Sequence, residues 1–411
     1  MAATTDAVFA FIMAAAIAWL TVPYAERLAY RLGAIDLPKE RGLHDRPMPR
    51  LSGLAIFAGI EVAGWIWLPG DGESRSILVG AAAIAAVGVL DDVRGLSALP
   101  KLTGQVGAAL IPVLAGVRVD VLTLPFVGGF ELAWLAYPLT VLGIVAVVNV
   151  INFIDGVDGL AAGVCTIAAI ALAVIALSLD RNAAGVLAAL TAGGALGFLR
   201  HGFPPASSFM GDTGSNLLGY LLATASVQGA LKTNAVVALV FPLVVLAVPI
   251  LDTGFVVAKR LKYRQPIYQA DTWHFHHRMA NIGFSQRRTL AYLYSWTVVM
   301  ALLALALRFV PYSDNHGHFD FLWSAVMVFF GLLALAASVY LVEVLEILKL
   351  RQARLRQLVG LRTDAGRPIP EAAAVDRAVE RELETGSFPA IDPETGEFEA
   401  LDPDPTPGPG R

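Results

Sequence analysis

Apolar runs close to twenty residues long recur along most of this chain, separated by short polar stretches. A run of that length crosses the hydrocarbon layer of a bilayer as a helix. The pattern predicts spans at roughly 7–24, 53–69, 76–90, 102–117, 132–149, 160–179, 183–199, 214–231, 235–257, 289–308 and 320–342. The expected fold class is therefore all-α, a polytopic transmembrane helical bundle of about eleven spans. No internal repeat of the kind seen in transporters is visible. The membrane domain is expected over 1–342, followed by a charged cytoplasmic helical extension over 343–360. Residues 361–411 carry 12 acidic and 5 basic side chains and are rich in Pro and Gly. Such a segment has too few large apolar groups to offset its ordering entropy, so an acidic disordered tail is expected.

The connecting loops set an orientation. Arg27, Arg31, Lys39, Arg41, Arg46 and Arg50 follow the first span, Arg94 and Lys101 follow the third, and seven bases from Lys259 to Arg288 precede the tenth. The alternate loops hold about one base each: Arg75, Arg118, Arg181, Lys232 and Arg308. The positive-inside rule places the N-terminus outside and the odd-numbered loops, with the C-terminus, in the cytoplasm. Composition agrees with a membrane protein: 56% of residues are hydrophobic, 16% are charged, and mean hydropathy is +0.64. The single cysteine, Cys165, excludes an internal disulfide and a cysteine-based metal site. Asp6 precedes the first run without a basic segment, so no cleavable signal peptide is expected.

The unusual polar clusters all fall in the loops assigned to the cytoplasm. In Asn149-Val-Ile-Asn-Phe-Ile-Asp-Gly-Val-Asp-Gly159 the polar residues Asn149, Asn152 and Asp155 recur every third position, which places them on one side of a helix. Asp158 follows, and Gly156 and Gly159 let the backbone turn tightly. Polar groups at the mouth of a span are costly unless water, a metal or a substrate satisfies them. A second cluster, Gly42 to Gly53, holds His44, Arg50 and two prolines; it reads as an extended loop or as a basic membrane anchor. The adjacent carboxylates Asp91 and Asp92 repel unless a cation or proton separates them, which admits a divalent metal, a basic partner or a base. Lys101 can hold a phosphate as a point charge. In Phe209 to Gly219, Asp212 stands between two glycines at a helix start. There free N–H groups favour anions and a carboxylate suits Mg²⁺, the plainer reading being an N-cap. Finally, His274, His276, His277 and Arg278 form a concentrated anion site, or less readily a zinc site. One face lined with Asp, Asn, Lys, His and Arg suits metal-assisted chemistry on phosphates.

With these motifs the sequence resembles the polyprenyl-phosphate N-acetylhexosamine-1-phosphate transferases, and within them the bacterial WecA/TagO type that uses UDP-GlcNAc. The resemblance covers roughly 8–310 and rests on four motifs in the family's order. These are Asp91-Asp92 with Lys101, Asn149 to Gly159, Gly211 to Ser215, and His274 to Arg278 preceded by Pro266 and Asp271. Pro249 to Thr253 also looks like the family. Arg278 and the late Lys101 set the chain apart from the related muramoyl-pentapeptide transferases. Departures from the family pattern are Met48, Ser52 and Trp273, and the acidic tail lies outside the resemblance.

The resemblance implies transfer of GlcNAc-1-phosphate from UDP-GlcNAc to a polyprenyl phosphate at the cytoplasmic face of the bacterial plasma membrane. Mg²⁺, with Mn²⁺ as the alternative ion, would be held by Asn152 and Asp212. Asp91 and Asp92 would position or deprotonate the lipid phosphate. Lys101, His276 and His277 would stabilise charge, and Asp155 and Asp158 would line the nucleotide or metal site. His44, Arg50, Asn149, His274 and Arg278 would bind substrate. A homodimer is a further expectation; a nucleic-acid partner is not. Alternatives are another UDP-HexNAc donor or UDP-MurNAc-pentapeptide, and, from another class, an anion transporter. A transporter predicts ionisable groups near the bilayer midplane, where Glu61 is the main candidate.

Two outcomes are expected. A cysteine introduced near Lys232 should react with an impermeant reagent from outside, and one near Arg264 only from inside; reversed labelling would overturn the orientation. Truncation after Val359 should leave specific activity within roughly tenfold of the full chain, because a polar tail without a packed core adds little to a membrane site.

Overall fold

The fold was obtained as a computed structural model, which describes residues 2–37, 47–124, 128–230, 246–262, 279, 285–311, 320–336 and 338. Within them the chain is mostly helical. In order the helices are α1 (Ala2–Leu32), α2 (Gly53–Trp67), α3 (Gly72–Arg94), α4 (Ala98–Leu114), α5 (Ala136–Ile154), α6 (Leu160–Ser178), α7 (Asn182–Gly202), α8 (Gly211–Ala230), α9 (Ala247–Lys262), α10 (Gln286–Phe309) and α11 (Phe321–Ala336). Each predicted span overlaps one of them. By length and composition α1, α3, α5, α6, α7 and α10 are able to cross a membrane, while α2, α4 and α11 are apolar but shorter. The chain divides into two compact units, residues 1–268 with 285–335, and residues 269–284 with 336–411. Almost all of the second unit, including the extension and the acidic tail, lies outside the described residues.

Two short antiparallel pairs depart from the all-helical expectation. Strand β1 (Ile35–Asp36) pairs with β2 (Met48–Pro49), and β3 (Val121–Leu124) pairs with β4 (Gly128–Glu131). Both sit between helices, where the hydrophobic period of a span is lost. Val121 and Thr123, both β-branched, suit an extended chain. Helix ends also differ from the hydropathy boundaries. Helix α1 continues to Leu32 and carries Arg27 and Arg31 on its last turns rather than in a loop. Helix α5 runs to Ile154, so Asn149 and Asn152 lie on the helix itself. Arg308, taken from the sequence as a loop charge, donates to the Ser178 hydroxyl (2.9 Å) and carbonyl (2.7 Å) at the end of α6. A cation there satisfies a helix C-terminus.

Helices α3, α4, α5 and α8 form a closed ring in which each packs on the next: α3 on α4, α4 on α5, α5 on α8, and α8 on α3. Helices α1, α2, α6 and α7 form a second group, and α8 also touches α2, α6 and α7. Small residues allow the close contacts. Gly193 and Gly197 of α7, one turn apart, face the backbone carbonyls of Phe11 and Ala15 on α1. Alanines of α1 at positions 7, 10, 14, 18 and 25 are buried, whereas Phe9, Trp19 and Leu20 are exposed. In a membrane protein that outer apolar face meets lipid.

A Cβ at Gly193 would land on the Phe11 carbonyl oxygen, while one at Gly143 of α5 would meet nothing within 4 Å. Gly193→Ala is therefore expected to destabilise by about 1–3 kcal/mol through overpacking. Gly143→Ala is expected to stabilise by up to about 1 kcal/mol through helix propensity. Melting of the two variants in detergent should move in opposite directions.

Candidate active site

Four helix ends and one loop meet at one end of the α3–α4–α5–α8 ring. Helix α3 ends there with Asp91 and Asp92 in its last turns, and Gly95 (φ +66°) reverses the chain. Helix α4 begins there with Lys101 in its first turn. Helix α5 arrives with Asn152 and stops as Asp155 leaves the helical backbone, its N–H donating to the Asn152 carbonyl at 3.2 Å. Helix α8 starts there with Gly211 and Asp212. The loop of Asp158 closes on Gly159, which has φ +73°.

The side chains join through Lys101. Its Nζ lies 2.9 Å from Asp91 Oδ2 and 3.1 Å from Asp212 Oδ2, and it donates to Asn152 Oδ1 at 3.4 Å. Asn152 Nδ2 donates to Asp212 Oδ1 and, at 2.8 Å, to the Ser215 hydroxyl. Asp91 Oδ1 accepts from the Leu96 N–H at 2.7 Å, so this carboxylate both shapes the turn after α3 and holds the ammonium. Charge-assisted bonds of this kind are roughly twice as strong as neutral ones. Lys101 and Asp212 are each about one-fifth exposed (18% and 20%), which leaves the pair reachable from one side.

Asp92 has a different task from the one the resemblance implied. Its Oδ1 accepts from the Asp212 N–H (2.9 Å) and its Oδ2 from the Thr213 N–H (2.9 Å) and hydroxyl (2.7 Å). It caps α8 from another helix, with about three of a carboxylate's four acceptor positions filled. This also corrects the expectation of free N–H groups at the start of α8. Those of Asp212 and Thr213 are spent on Asp92, and that of Gly214 donates to the Met210 carbonyl at 3.1 Å. Nor does Asp212 cap its own helix; its carboxylate faces Lys101 and Asn152. Gly211 (φ +64°) is needed twice over, since a Cβ there would strike the Arg50 carbonyl and the Asp92 oxygens. Gly88 of α3 faces the Thr213 backbone in the same way.

Arg50 reaches the site because its segment is zipped to the one before α8. The Ser52 N–H donates to Phe209 O (3.2 Å), Gly53 N–H to Met210 O (3.0 Å), and Phe209 N–H to Pro49 O (2.9 Å). Asp158 is buried and its Oδ2 accepts from the Ala206 N–H at 3.1 Å, tying its loop to the approach to α8. Burial first, then the charges of Asp212 and Asp92, push the Asp155 carboxyl well above the ordinary carboxylate range, with Arg50 opposing. Asn149, expected at the substrate, donates instead to Gln105 Oε1 and the Val145 carbonyl, both at 2.8 Å.

The structure thus brings together Asp91, Asp92, Lys101, Asn152, Asp155 and Asp212, with Arg50 and Asp158 beside them. His44, His274, His276, His277 and Arg278 lie outside the described residues. Glu61, the deep charge expected of a transporter, accepts from Trp65 Nε1 on its own helix at 2.9 Å. Sequence reasoning missed the roles of Gln105, Thr213, Ser215 and Asn216. Gln105 stands four residues after Lys101 inside an apolar helix, and that spacing was the available signal.

Among the described residues no group of three or more His, Cys, Asp or Glu side chains is set to hold a metal ion. The hard oxygens on offer are those of Asp212 and Ser215, with Asn152 turning its NH₂ to both and its Oδ1 to Lys101. Among the described residues carboxylates outnumber cations around them, with Asp91, Asp92, Asp155 and Asp212 against Lys101 and Arg50. That set fits a partial shell for Mg²⁺, which keeps several waters and takes one or two carboxylates plus substrate oxygens.

A helical membrane protein with an acid-rich polar site at converging helix ends is the class that fold and site define. The pattern of glycosyl transferase family 4 matches residues 74–230, from the start of α3 to the end of α8, which takes in the four helices of the ring together with α6 and α7. The chain is 41% identical over 304 residues to a Bacillus subtilis protein named "Probable undecaprenyl-phosphate N-acetylglucosaminyl 1-phosphate transferase", covering 73% of this chain and 85% of that one. It is 35% identical over 337 residues to the decaprenyl-phosphate N-acetylglucosaminephosphotransferase of Mycobacterium tuberculosis, covering 74% and 82%. It is 31% identical over 235 residues to the phospho-N-acetylmuramoyl-pentapeptide-transferase of Heliobacterium modesticaldum, covering 53% and 73%. The chain belongs to glycosyl transferase family 4.

Because Asp92 holds the first turn of α8, Asp92→Asn should act through Asp212. An amide keeps the size but sets an NH₂ group against N–H donors, at a cost of about 1–3 kcal/mol. Melting temperature and turnover are expected to fall together. Thr213→Val, which removes only the hydroxyl bond, should cost about 0.5–1.5 kcal/mol. Equal melting of Asp92→Asn and wild type would remove the capping role.

Proposed function

We propose that this protein transfers GlcNAc-1-phosphate from UDP-GlcNAc to a polyprenyl phosphate at the cytoplasmic face of a bacterial plasma membrane. The products are polyprenyl-diphosphate-GlcNAc and UMP. The observation that carries the reading is the shared ammonium. Lys101 lies between Asp91 and Asp212, with Asn152 beside it, at the open end of a ring of membrane helices. A cation set among carboxylates at a membrane surface is placed to exchange a carboxylate partner for a phosphate oxygen. The family membership and the names of the relatives support the same chemistry.

In the transfer, an oxygen of the lipid phosphate forms a bond to the β-phosphorus of UDP-GlcNAc. The bond from that phosphorus to the bridging oxygen breaks, and UMP departs with that oxygen. A phosphate monoester has a second pKa of about 6 and is mostly dianionic at neutral pH, so a strong base is not required. This chain's residues then do three things. Lys101 binds a phosphate oxygen and offsets the charge that develops on the leaving group. Asp91 orients Lys101. Asp92 fixes α8 so that Asp212 stays against Asn152. Asp212 and Asn152, with Ser215 adjoining, would hold Mg²⁺, which supplies charge neutralisation on the diphosphate when bound. Asp155 and Asp158 would line the nucleotide or metal site. The distribution of basic residues among the loops supports a cytoplasmic site.

The test is purified protein with polyprenyl phosphate, Mg²⁺ and a panel of UDP-sugars, with UMP as readout. UDP-GlcNAc is expected to be the best donor; release of UMP only from another UDP-sugar would overturn the donor. Asp212→Asn should lower turnover on the order of 10²-fold, as loss of a charge-stabilising group does, and added Mg²⁺ should recover only the binding part. Wild-type turnover with an unmoved Mg²⁺ optimum would remove Asp212 from the metal.

A further inference from the structure

One helical turn deeper than the charged cluster lies a second polar layer on three of the same helices. Gln105 follows Lys101 by four residues on α4, Asn149 precedes Asn152 by three on α5, and Asn216 follows Asp212 by four on α8. Three or four residues make one turn, so each amide sits directly beneath a member of the cluster. Gln105 and Asn216 are buried, at 1% and 0% exposure, and Asn149 is part-buried. Three amides in the core of a membrane bundle are costly unless something uses them.

They form one directed chain. Asn149 Nδ2 donates to the Val145 carbonyl and to Gln105 Oε1, both at 2.8 Å, and Gln105 Nε2 donates to Asn216 Oδ1 at 3.5 Å. A backbone carbonyl only accepts, so it fixes which end of the Asn149 amide points into the ring. That choice then fixes Gln105 and Asn216 in turn. The chain ends on Asn216 Nδ2, which is buried with no hydrogen-bond partner among the described residues. A layer selected for stability alone would not end on an orphan donor, because removing that group would stabilise the fold. Apolar side chains of the same size would pack these helices without specifying how they are rotated. Directional amide bonds do specify it, as a single buried polar residue sets register in a coiled coil at a cost in stability.

We infer that Gln105, Asn149 and Asn216 are a positioning layer. They hold α4, α5 and α8 in the one rotational register that brings Lys101, Asn152 and Asp212 within hydrogen-bonding distance. None of the three touches the reacting phosphates. The layer is uncharged, so it sets geometry without altering the charge balance of the cluster above it. The inference rests on the proposed transfer reaction.

The test uses full-length Gln105→Met and Asn216→Leu, singly and together, beside wild type. Met keeps the length and volume of Gln, and Leu those of Asn, without the hydrogen bonds. Turnover, KM for both substrates and melting temperature are measured on whichever UDP-sugar the wild type uses best. Each single variant is expected to lose about 10- to 100-fold in kcat, with both KM values within about threefold, since small misplacement of catalytic groups costs that much. Melting temperature should fall slightly in each single variant, which strands one buried partner, and recover in the double variant, where both partners are apolar. The double variant should be no slower than the slower single, because both changes break one chain.

Unchanged kcat in an active protein would overturn the inference alone. So would a rise in KM without loss of kcat, which would make the layer a substrate contact. Recovery of activity together with melting temperature in the double variant, or failure of both single variants to accumulate, would make the layer merely structural. A wild type silent on every donor would overturn the proposed reaction, and this inference with it.

Discussion

Everything at this site depends on one ammonium group. The ends of α3, α5 and α8, with the loop after α5, bring Asp91, Asp92, Asp155 and Asp212 into one small region. Without a counter-charge they would repel in a medium where repulsion is weakly screened. Lys101 meets that need from the first turn of α4, bonding two of the carboxylates and an asparagine together. A lysine serves well here because it is a compact charge with three donors on a flexible stem. A buried pair of this kind adds little net stability, since desolvation offsets most of the attraction. Its contribution is to decide which helix ends stand together.

Around that pair the backbone does the positioning. Asp92 takes the N–H groups that a helix start leaves open, so α8 cannot shift without breaking charge-assisted bonds to α3. The segments before α2 and α8 are laced together by main-chain hydrogen bonds, and only glycine fits at position 211 between Arg50 and Asp92. Two adjacent aspartates therefore do different work. Successive residues on a helix point about 100° apart, so Asp91 faces Lys101 while Asp92 faces the start of α8. The pair reads as one motif in the sequence and acts as two groups in the fold.

The excess of acid over base also has a consequence for ligands. A divalent cation would neutralise carboxylate and phosphate together. The hard oxygens of Asp212 and Ser215 suit that ion, and the uncharged amides beneath them leave the balance untouched. Glu61, by contrast, accepts a hydrogen bond from Trp65 on its own helix.

Much of this was legible from the chain alone. Hydropathy fixes where helices lie because every backbone polar group in a bilayer must be satisfied within its own segment; each predicted span overlaps a helix. Polar residues at the ends of such spans stand out because they are costly there, which is why Asp91, Asp92, Lys101, Asn152, Asp155 and Asp212 could be singled out before any geometry was known. What the sequence could not show is which polar groups consume one another. Hydrogen-bond partners here are 44 to 121 residues apart, on helices whose neighbours only packing decides. Tertiary structure alone showed Asp92 capping α8, and joined Asn149, Gln105 and Asn216 in one chain of hydrogen bonds. The physical reason is that hydropathy acts locally along a segment, whereas a hydrogen bond needs a partner that only the fold delivers.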